Sequence, residues 1–433
     1  MAGKRIVAAG AAPAMPFGPS MTFLSFIGRN GRWLGGGFLL CFFSSFGQTF
    51  FIALSNGEIR REFDLTNGEF GLIYMMATLG SAATLPFLGR VLDRFRTWHV
   101  AAGTITGLAV ATLVLSWSTS VPLLLLSIYL LRLFGQGMMS QTAFTATGRW
   151  FVANRGRAIS LVTPGFQAGE ALLPLLFVMS AGVLGWRGAW VASAIVLLLV
   201  ALPAITLLTN RERDPLSLEP AGAPQSDVPD WTVAQVLRSP TFYLLAMGVV
   251  APSFIGTTLF FHQVYLTELR GWPLELFASG FAVMSATTVV FALVCGWLID
   301  RFSAVRLLPF FLIPMTFATL VAANFTAEGS IFVFMMFLGI SNGFAATLFG
   351  ALWPEIYGVR HLGAVRSLVL AVMVFGSALG PGLSGILMDL GVPYPLLINL
   401  MAVFCAAITL VLTGVSRRLR RLPATSGFSR AER

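Results

Sequence analysis

Charge is scarce in this 433-residue chain: Asp, Glu, Lys and Arg make up 11% of it against 56% for hydrophobic residues, roughly half the charged share of a soluble domain. That scarcity excludes an ordinary soluble fold. Cysteine and histidine are rarer still. Cys41, Cys295 and Cys405 fall in three separate apolar segments and His99, His262 and His361 are scattered, which leaves neither a disulfide framework nor zinc spacing. The polar segments carry no Gly-rich phosphate loop, metal cluster or Ser/His/Asp set, and they are too short for a catalytic domain, so no enzyme activity and no cofactor are expected. Without a nucleotide-binding motif, any transport must draw on an ion or solute gradient. Strict apolar–polar alternation is missing too, which excludes a transmembrane barrel. The net charge of +10 is not gathered on a soluble face, so no nucleic-acid partner is expected.

What the chain has is long apolar runs. A spanning helix needs about 20 mostly apolar residues, because its backbone polar groups must be satisfied within the segment. Twelve such runs can be drawn, near 33–55, 69–89, 99–117, 121–147, 158–184, 188–208, 241–266, 274–298, 306–325, 330–353, 366–389 and 394–415. The expected fold is an all-α integral membrane protein with twelve transmembrane helices and the lipid bilayer as its surroundings.

The basic residues orient it. The segments on one side hold Lys4, Arg5, Arg29, Arg32, Arg90, Arg94, Arg96, Arg149, Arg155, Arg157, Arg211, Arg213, Arg238, Arg301, Arg306, Arg360, Arg366 and the cluster from Arg417 to Arg433. The other side has Arg60, Arg61, Arg187 and Arg270, and Arg132 falls inside a span. The positive-inside rule therefore places both termini in the cytoplasm, in an inner (plasma) membrane.

Residues 1–32 are expected to form a cytoplasmic tail, since "IVAAGAAPAMPFGPSM" is broken by Pro and Gly before it makes a secretory core. The division then runs 33–208 for a first six-helix bundle, 209–240 for a polar, Pro-rich cytoplasmic linker, 241–415 for a second bundle and 416–433 for a basic cytoplasmic tail. Within the linker, "DWTVAQVLRS" predicts a short amphipathic helix at the membrane surface, capped by Asp230.

The two bundles repeat each other. An offset of 207 carries Gly89 to Gly296, Asp93 to Asp300, Arg94 to Arg301 and Phe95 to Phe302, turning "GRVLDRF" into "GWLIDRF". The same offset carries Gly156 to Gly363, Gly169 to Gly376 and Pro174 to Pro381. One constant shift through separate regions means two homologous halves related by pseudo-symmetry. The turn has a physical logic of its own. Glycine lets helices approach, and a carboxylate at a helix end can accept from a neighbouring helix N-terminus while pairing with arginine. Such a cluster can hold one side shut and break when the halves rock apart; the plainer alternative is a basic turn that only fixes topology.

Two six-helix halves, a polar middle loop and a G-x-x-x-D-R-F turn after the second span of each half resemble the major facilitator superfamily over about residues 33–416. The resemblance implies a cytoplasmic gate formed by Gly89, Asp93, Arg94 and Arg96, with Gly296, Asp300 and Arg301 as its second copy. It implies helix-packing roles for Gly169, Pro174, Gly376, Gly380 and Pro381. "RGRA" at the start of span 5 and "ALGP" in span 11 are similar to the monocarboxylate porter and oxalate:formate antiporter branch. That branch is expected to hold cations in spans 8 and 11; here span 8 has none and span 11 only Arg366 at its start, so a dianion lacks its obvious partners.

The candidate site residues are the few polar groups inside spans. Arg132 lies about 11 residues, roughly 16 Å, from the nearer end of span 4, too deep to snorkel, so it must face a cavity or pair with another helix. Glu170 on span 5 is expected within about two turns of the depth of Arg132. A carboxyl there is cheapest uncharged unless a cation approaches, which is the conditional protonation a proton-coupled carrier needs; an interhelical hydrogen bond is the other reading. Gln48, Gln136, Gln141, Gln167, Gln263 and Asn342 could line a cavity or serve as interhelical glue, and His262 is expected as an interfacial histidine near the outer mouth. The expected function is a monomeric secondary carrier that works by alternating access on a small organic anion, with protons as a coupling partner. Efflux of an apolar compound through a Phe- and Met-rich lining is the alternative.

Overall fold

The computed structural model describes residues 23–421 apart from 152–153, 212, 214–230 and 359–360, and leaves aside the side chains of Phe23, Leu24 and Asp93. Nine helices among the described residues are long and apolar enough to cross a membrane. They include α2 (Asn67–Leu88), α3 (Thr97–Ser116), α4 (Val121–Trp150), α7 (Pro240–Phe261), α8 (Leu274–Phe302), α10 (Ser330–Tyr357), α11 (Leu362–Asp389) and α12 (Tyr394–Arg421). The ninth, Arg155–Thr209, is two spans, α5 (155–184) and α6 (186–209), joined at Gly185. There φ is 71° and ψ 164°, a conformation open only to glycine. α1 is a bent pair, Ser25–Gly47 and Thr49–Phe63, that turns by 45°. α9 is a short piece, Ala304–Leu307, followed by Ile313–Asn324. With these the described residues form the twelve-span, two-half fold.

Helix ends depart from the sequence expectations in four places. The tail assigned to 1–32 is helical from Phe23 onward, because Phe26 is buried against Phe151 and the buried Asn30 side chain donates back to the Phe26 carbonyl. The basic tail likewise begins as helix, α12 running on to Arg421 with the Ser416 hydroxyl donating to the Val305 carbonyl. The linker helix is Val233–Arg238, and its cap is a reciprocal pair between Thr232 and Gln235 rather than Asp230, which lies outside the described residues. Trp231 anchors that helix, its N–H donating to the Tyr357 carbonyl and its ring meeting Tyr357 edge-on. Finally, span 9 is interrupted between Leu307 and Ile313.

The bend in α1 has a packing cause. At Gly47 an added Cβ would stand 2.6 Å from the Gly135 Cα and 2.8 Å from the Gln136 nitrogen of α4. Only a glycine-on-glycine crossing admits that approach. The two helices answer by yielding: α1 becomes extended at Gln48 (φ −84°, ψ 154°), and α4 loosens into a π-helical stretch over Arg132–Met139, a distortion that often marks functional positions.

The halves, α1–α6 and α7–α12, pack through α2 against α11 and α5 against α8. The contact is closest at the arginine-poor end. Gly71 of α2 leaves room for the Pro381 carbon 2.9 Å from where its Cβ would be, and Gly385 does the same for Asn67 at 2.8 Å. Toward the arginine-rich end α11 opens, with Leu370 at 57% and Phe375 at 55% exposure, while Gly376 to Gly382 are mostly buried. Outside, the bundle is apolar: Leu199, Leu293 and Leu410 each exceed 70% exposure, a surface that needs lipid around it.

Candidate substrate site and gates

The break of α1 and the π-helical stretch of α4 meet at Arg132. Its side chain is 1% exposed. Nη1 donates to the Gly47 carbonyl and to Thr49 Oγ1, both at 3.3 Å. The guanidinium lies 5.4 Å from the Tyr74 ring centre on α2, and Thr49 Oγ1 and the Tyr74 hydroxyl are 2.6 Å apart. Nε and Nη2 have no partner. A buried cation with no acid beside it is held by a carbonyl, a hydroxyl and an aromatic face, so two donors stand ready for an anion.

Glu170 does not pair with Arg132. It is half-buried on α5 and lies beside Ser285 of α8, across the line between the halves. The depth argument put the two within about two turns of each other, but their partners differ: Arg132 turns to α1 and Glu170 to α8.

The remaining polar candidates divide. Gln48 stands half-buried at the α1 break, next to the Arg132 cluster; Gln136 and Gln167 are half-buried on α4 and α5. Asn342 on α10 lies 4.0 Å from the Met284 sulfur of α8, and Gln141 packs against Gly89. His262 corrects the interfacial expectation: it is fully buried, because α7 breaks there and turns the ring between Phe261 and Tyr394, with Nε2 3.0 Å from Ser384 Oγ. Gln263 is fully buried as well and donates to the Phe50 carbonyl of the other half at 2.7 Å.

At the arginine-rich end the two turns are wired differently. In the first, Gln141 Nε2 lies 3.0 Å from where a Gly89 Cβ would be, and Arg149 of α4 donates to the Leu92 carbonyl. Arg94 and Arg96 are exposed; the Asp93 side chain is outside the described set. In the second, Gly296 faces open space, with Thr347 3.9 Å away. Asp300 and Arg301 are exposed, Arg301 lying over the Trp297 and Phe302 rings. A residue the sequence reading missed does the capping there: Glu355 at the end of α10 accepts from the Ala304 N–H at 2.9 Å. Its signal, a lone acid two residues short of a helix end, was too generic to single out.

The helix-packing glycines sit at crossings. Gly169 faces the Phe42 carbonyl of α1, Gly376 faces Val250 of α7, and Gly380 faces Phe254 and Thr258 of α7, with Cβ clearances of 2.5, 3.1 and 2.5 Å. Pro174 and Pro381 are buried inside α5 and α11.

Two related six-helix halves, packed closely at one end and parted at the other around a buried cation, have the architecture of a membrane carrier. The chain belongs to the Major Facilitator Superfamily, whose sequence profile matches residues 37–312 and 279–431. Among curated proteins it is 27% identical to human monocarboxylate transporter 11 over 369 residues, 80% of this chain and 74% of that one. It is also 27% identical to bovine monocarboxylate transporter 13 over 290 residues, 65% of each. Among solved structures its fold matches a bacterial homologue of the human lysosomal transporter Spinster in an inward-facing, unoccupied conformation, with TM-score 0.72, 17% identity, and 90% of this chain and 97% of that one covered. The nucleoside transporter NupG matches with TM-score 0.62, 14% identity and coverage of 90% and 99%.

Proposed function

We propose that this chain is a secondary carrier that moves a small, monocarboxylate-like organic anion across the inner membrane by alternating access, as a monomer with both termini in the cytoplasm. The observation that carries the reading is Arg132: a guanidinium buried at mid-span, with two unpartnered donors, beside the one place where α1 abandons helical geometry. One positive charge balances one carboxylate, and the absence of a cation from residues 274–298 of α8 and of any in α11 beyond Arg366 argues against a dianion. The names of the curated relatives point the same way.

Glu170 supplies the proton link. A carboxyl beside a hydroxyl at the seam between α5 and α8 changes its access to water when the halves rock, which is where a coupled proton must bind and leave. The charge distribution supports reading the arginine-rich, parted end as the cytoplasmic side, which makes this conformation an inward-facing one.

Reconstituted protein tests this directly. Uptake of radiolabelled short-chain monocarboxylates into proteoliposomes should rise with an inward-directed proton gradient and fall about 100-fold in Arg132→Ala, of the order expected when a charged hydrogen-bonding partner of an anion is removed. Uptake indifferent to both would sink the anion and the proton parts together. The aromatic contacts Phe50–Phe281 and Phe260–Phe281, with ring centres 5.5 and 5.4 Å apart, favour one rival, efflux of an apolar compound. Competition by hydrophobic drugs and not by carboxylates would decide for it.

A further inference from the structure

The halves are tied at the arginine-poor end by two side-chain amides that answer each other. Asn56 Nδ2 donates to the Phe261 carbonyl at 2.8 Å, and Gln263 Nε2 donates to the Phe50 carbonyl at 2.7 Å. Each amide belongs to one half and each carbonyl to the other. The donors are 207 residues apart in sequence, the same offset that relates the two turns, so they occupy equivalent positions of the repeat. Both are buried, at 2% and 0% exposure.

Their setting explains the arrangement. Asn56 opens Asn56–Phe63, the segment beyond the α1 break, and Gln263 opens Gln263–Arg270, the segment beyond the α7 break at His262. Phe261 closes α7 just before His262, and Phe50 lies in the short piece Thr49–Ile52, between the break at Gln48 and the tighter turn Ala53–Ser55 that precedes Asn56, so both stand at helix ends, where carbonyls lose their own i+4 donors. Each break therefore frees an acceptor, and the equivalent break in the other half supplies the donor.

We propose that Asn56 and Gln263 are reciprocal straps of the outer gate, which set how readily the arginine-poor end opens. The proposal rests on the alternating-access part of the function above and not on the identity of the substrate. When that end is shut, both carbonyls are buried and each strap satisfies one. When it opens, water replaces the straps, so each neutral bond biases the closed state without locking it. Phe261 also links the straps to the anion site: its ring packs 4.8 Å from Tyr74 and 5.2 Å from Phe70, and Tyr74 carries the Arg132 guanidinium. An anion that draws Arg132 off Tyr74 disturbs the ring whose carbonyl holds Asn56.

The test is a distance measurement on the full chain in nanodiscs, with the three native cysteines replaced and spin labels at Val183→Cys and Leu390→Cys, positions 85% and 75% exposed on opposite halves. Asn56→Leu and Gln263→Met keep the volume and remove the donor, leaving a carbonyl unpaired only while the gate is shut. Each should raise the population with the longer outer distance about tenfold, and the double variant about a hundredfold. Asn30→Leu is the control: it removes an amide-to-carbonyl bond inside one half, so it should lower thermal stability without moving the distance. A folded double variant with the wild-type distribution, or an equal shift in Asn30→Leu, overturns the straps. If a substrate or pH gradient produces the longer distance while the double variant does not, the straps fall and alternating access stands. If no condition produces it, both fall.

Discussion

α4 and α10 are equivalent helices of the repeat, and the 207-residue offset sets Arg132 of α4 against Gly339 of α10. Their neighbourhoods could hardly differ more. α4 loosens into π-helical turns and holds a cation against the broken α1. α10 runs unbroken, and its Gly339 and Gly343 press onto α8, where a Cβ on Gly343 would meet the Ala292 nitrogen at 2.8 Å. One half keeps its central helix open to chemistry; the other uses the same position for close packing. Pseudo-symmetry thus fixes where helices go and leaves free what each position does, because backbone approach and side-chain chemistry compete for the same small space.

The largest effect that would sharpen this contrast is in α10. Gly343→Val must push α8 away along its whole contact and should cost about 3 kcal/mol, the upper range for overpacking a filled interface, read as a lower midpoint in detergent denaturation; a cost below about 1 kcal/mol would show that α8 and α10 are not locked. The loss of transport in Arg132→Ala is the matching blow to α4, and it should leave the denaturation midpoint near wild type. Next in size is the wiring of the second turn. Glu355→Gln weakens a carboxylate acceptor at the Ala304 N–H and should cost about 1 kcal/mol, with a faster transport cycle if that contact steadies the parted end; an unchanged midpoint would remove Glu355 from the turn. The smallest effect separates the two turn glycines. Gly296→Ala has open space and should lie within about 0.5 kcal/mol of wild type, whereas Gly89→Ala pushes on Gln141 and should measurably slow transport. Equal behaviour of the two would mean that the repeated glycines share one role.

Much of the fold was legible because the membrane imposes a coarse rule. Apolar length located the spans, and a constant offset gave the two halves. The finer features were not written in that rule. The breaks at Gln48 and His262 carry no proline or charge of their own; they arise where another helix approaches too closely or ends too soon. Residue spacing could set Glu170 near the depth of Arg132 but not on the same face, since rotation about a helix axis is fixed by neighbours.

By itself, then, the sequence determined the class of the molecule and its duplicated plan, because burying backbone in lipid admits few solutions. The tertiary structure alone decided which polar groups have partners. Arg132 keeps free donors, Glu170 faces the opposite half, and Gln263, read from the sequence as cavity or glue, joins Asn56, which the sequence did not single out, in meeting the carbonyls that two broken helices release. Hydrogen-bond partners lie across chain separations of 205 and 213 residues, and only the packed halves bring them within reach.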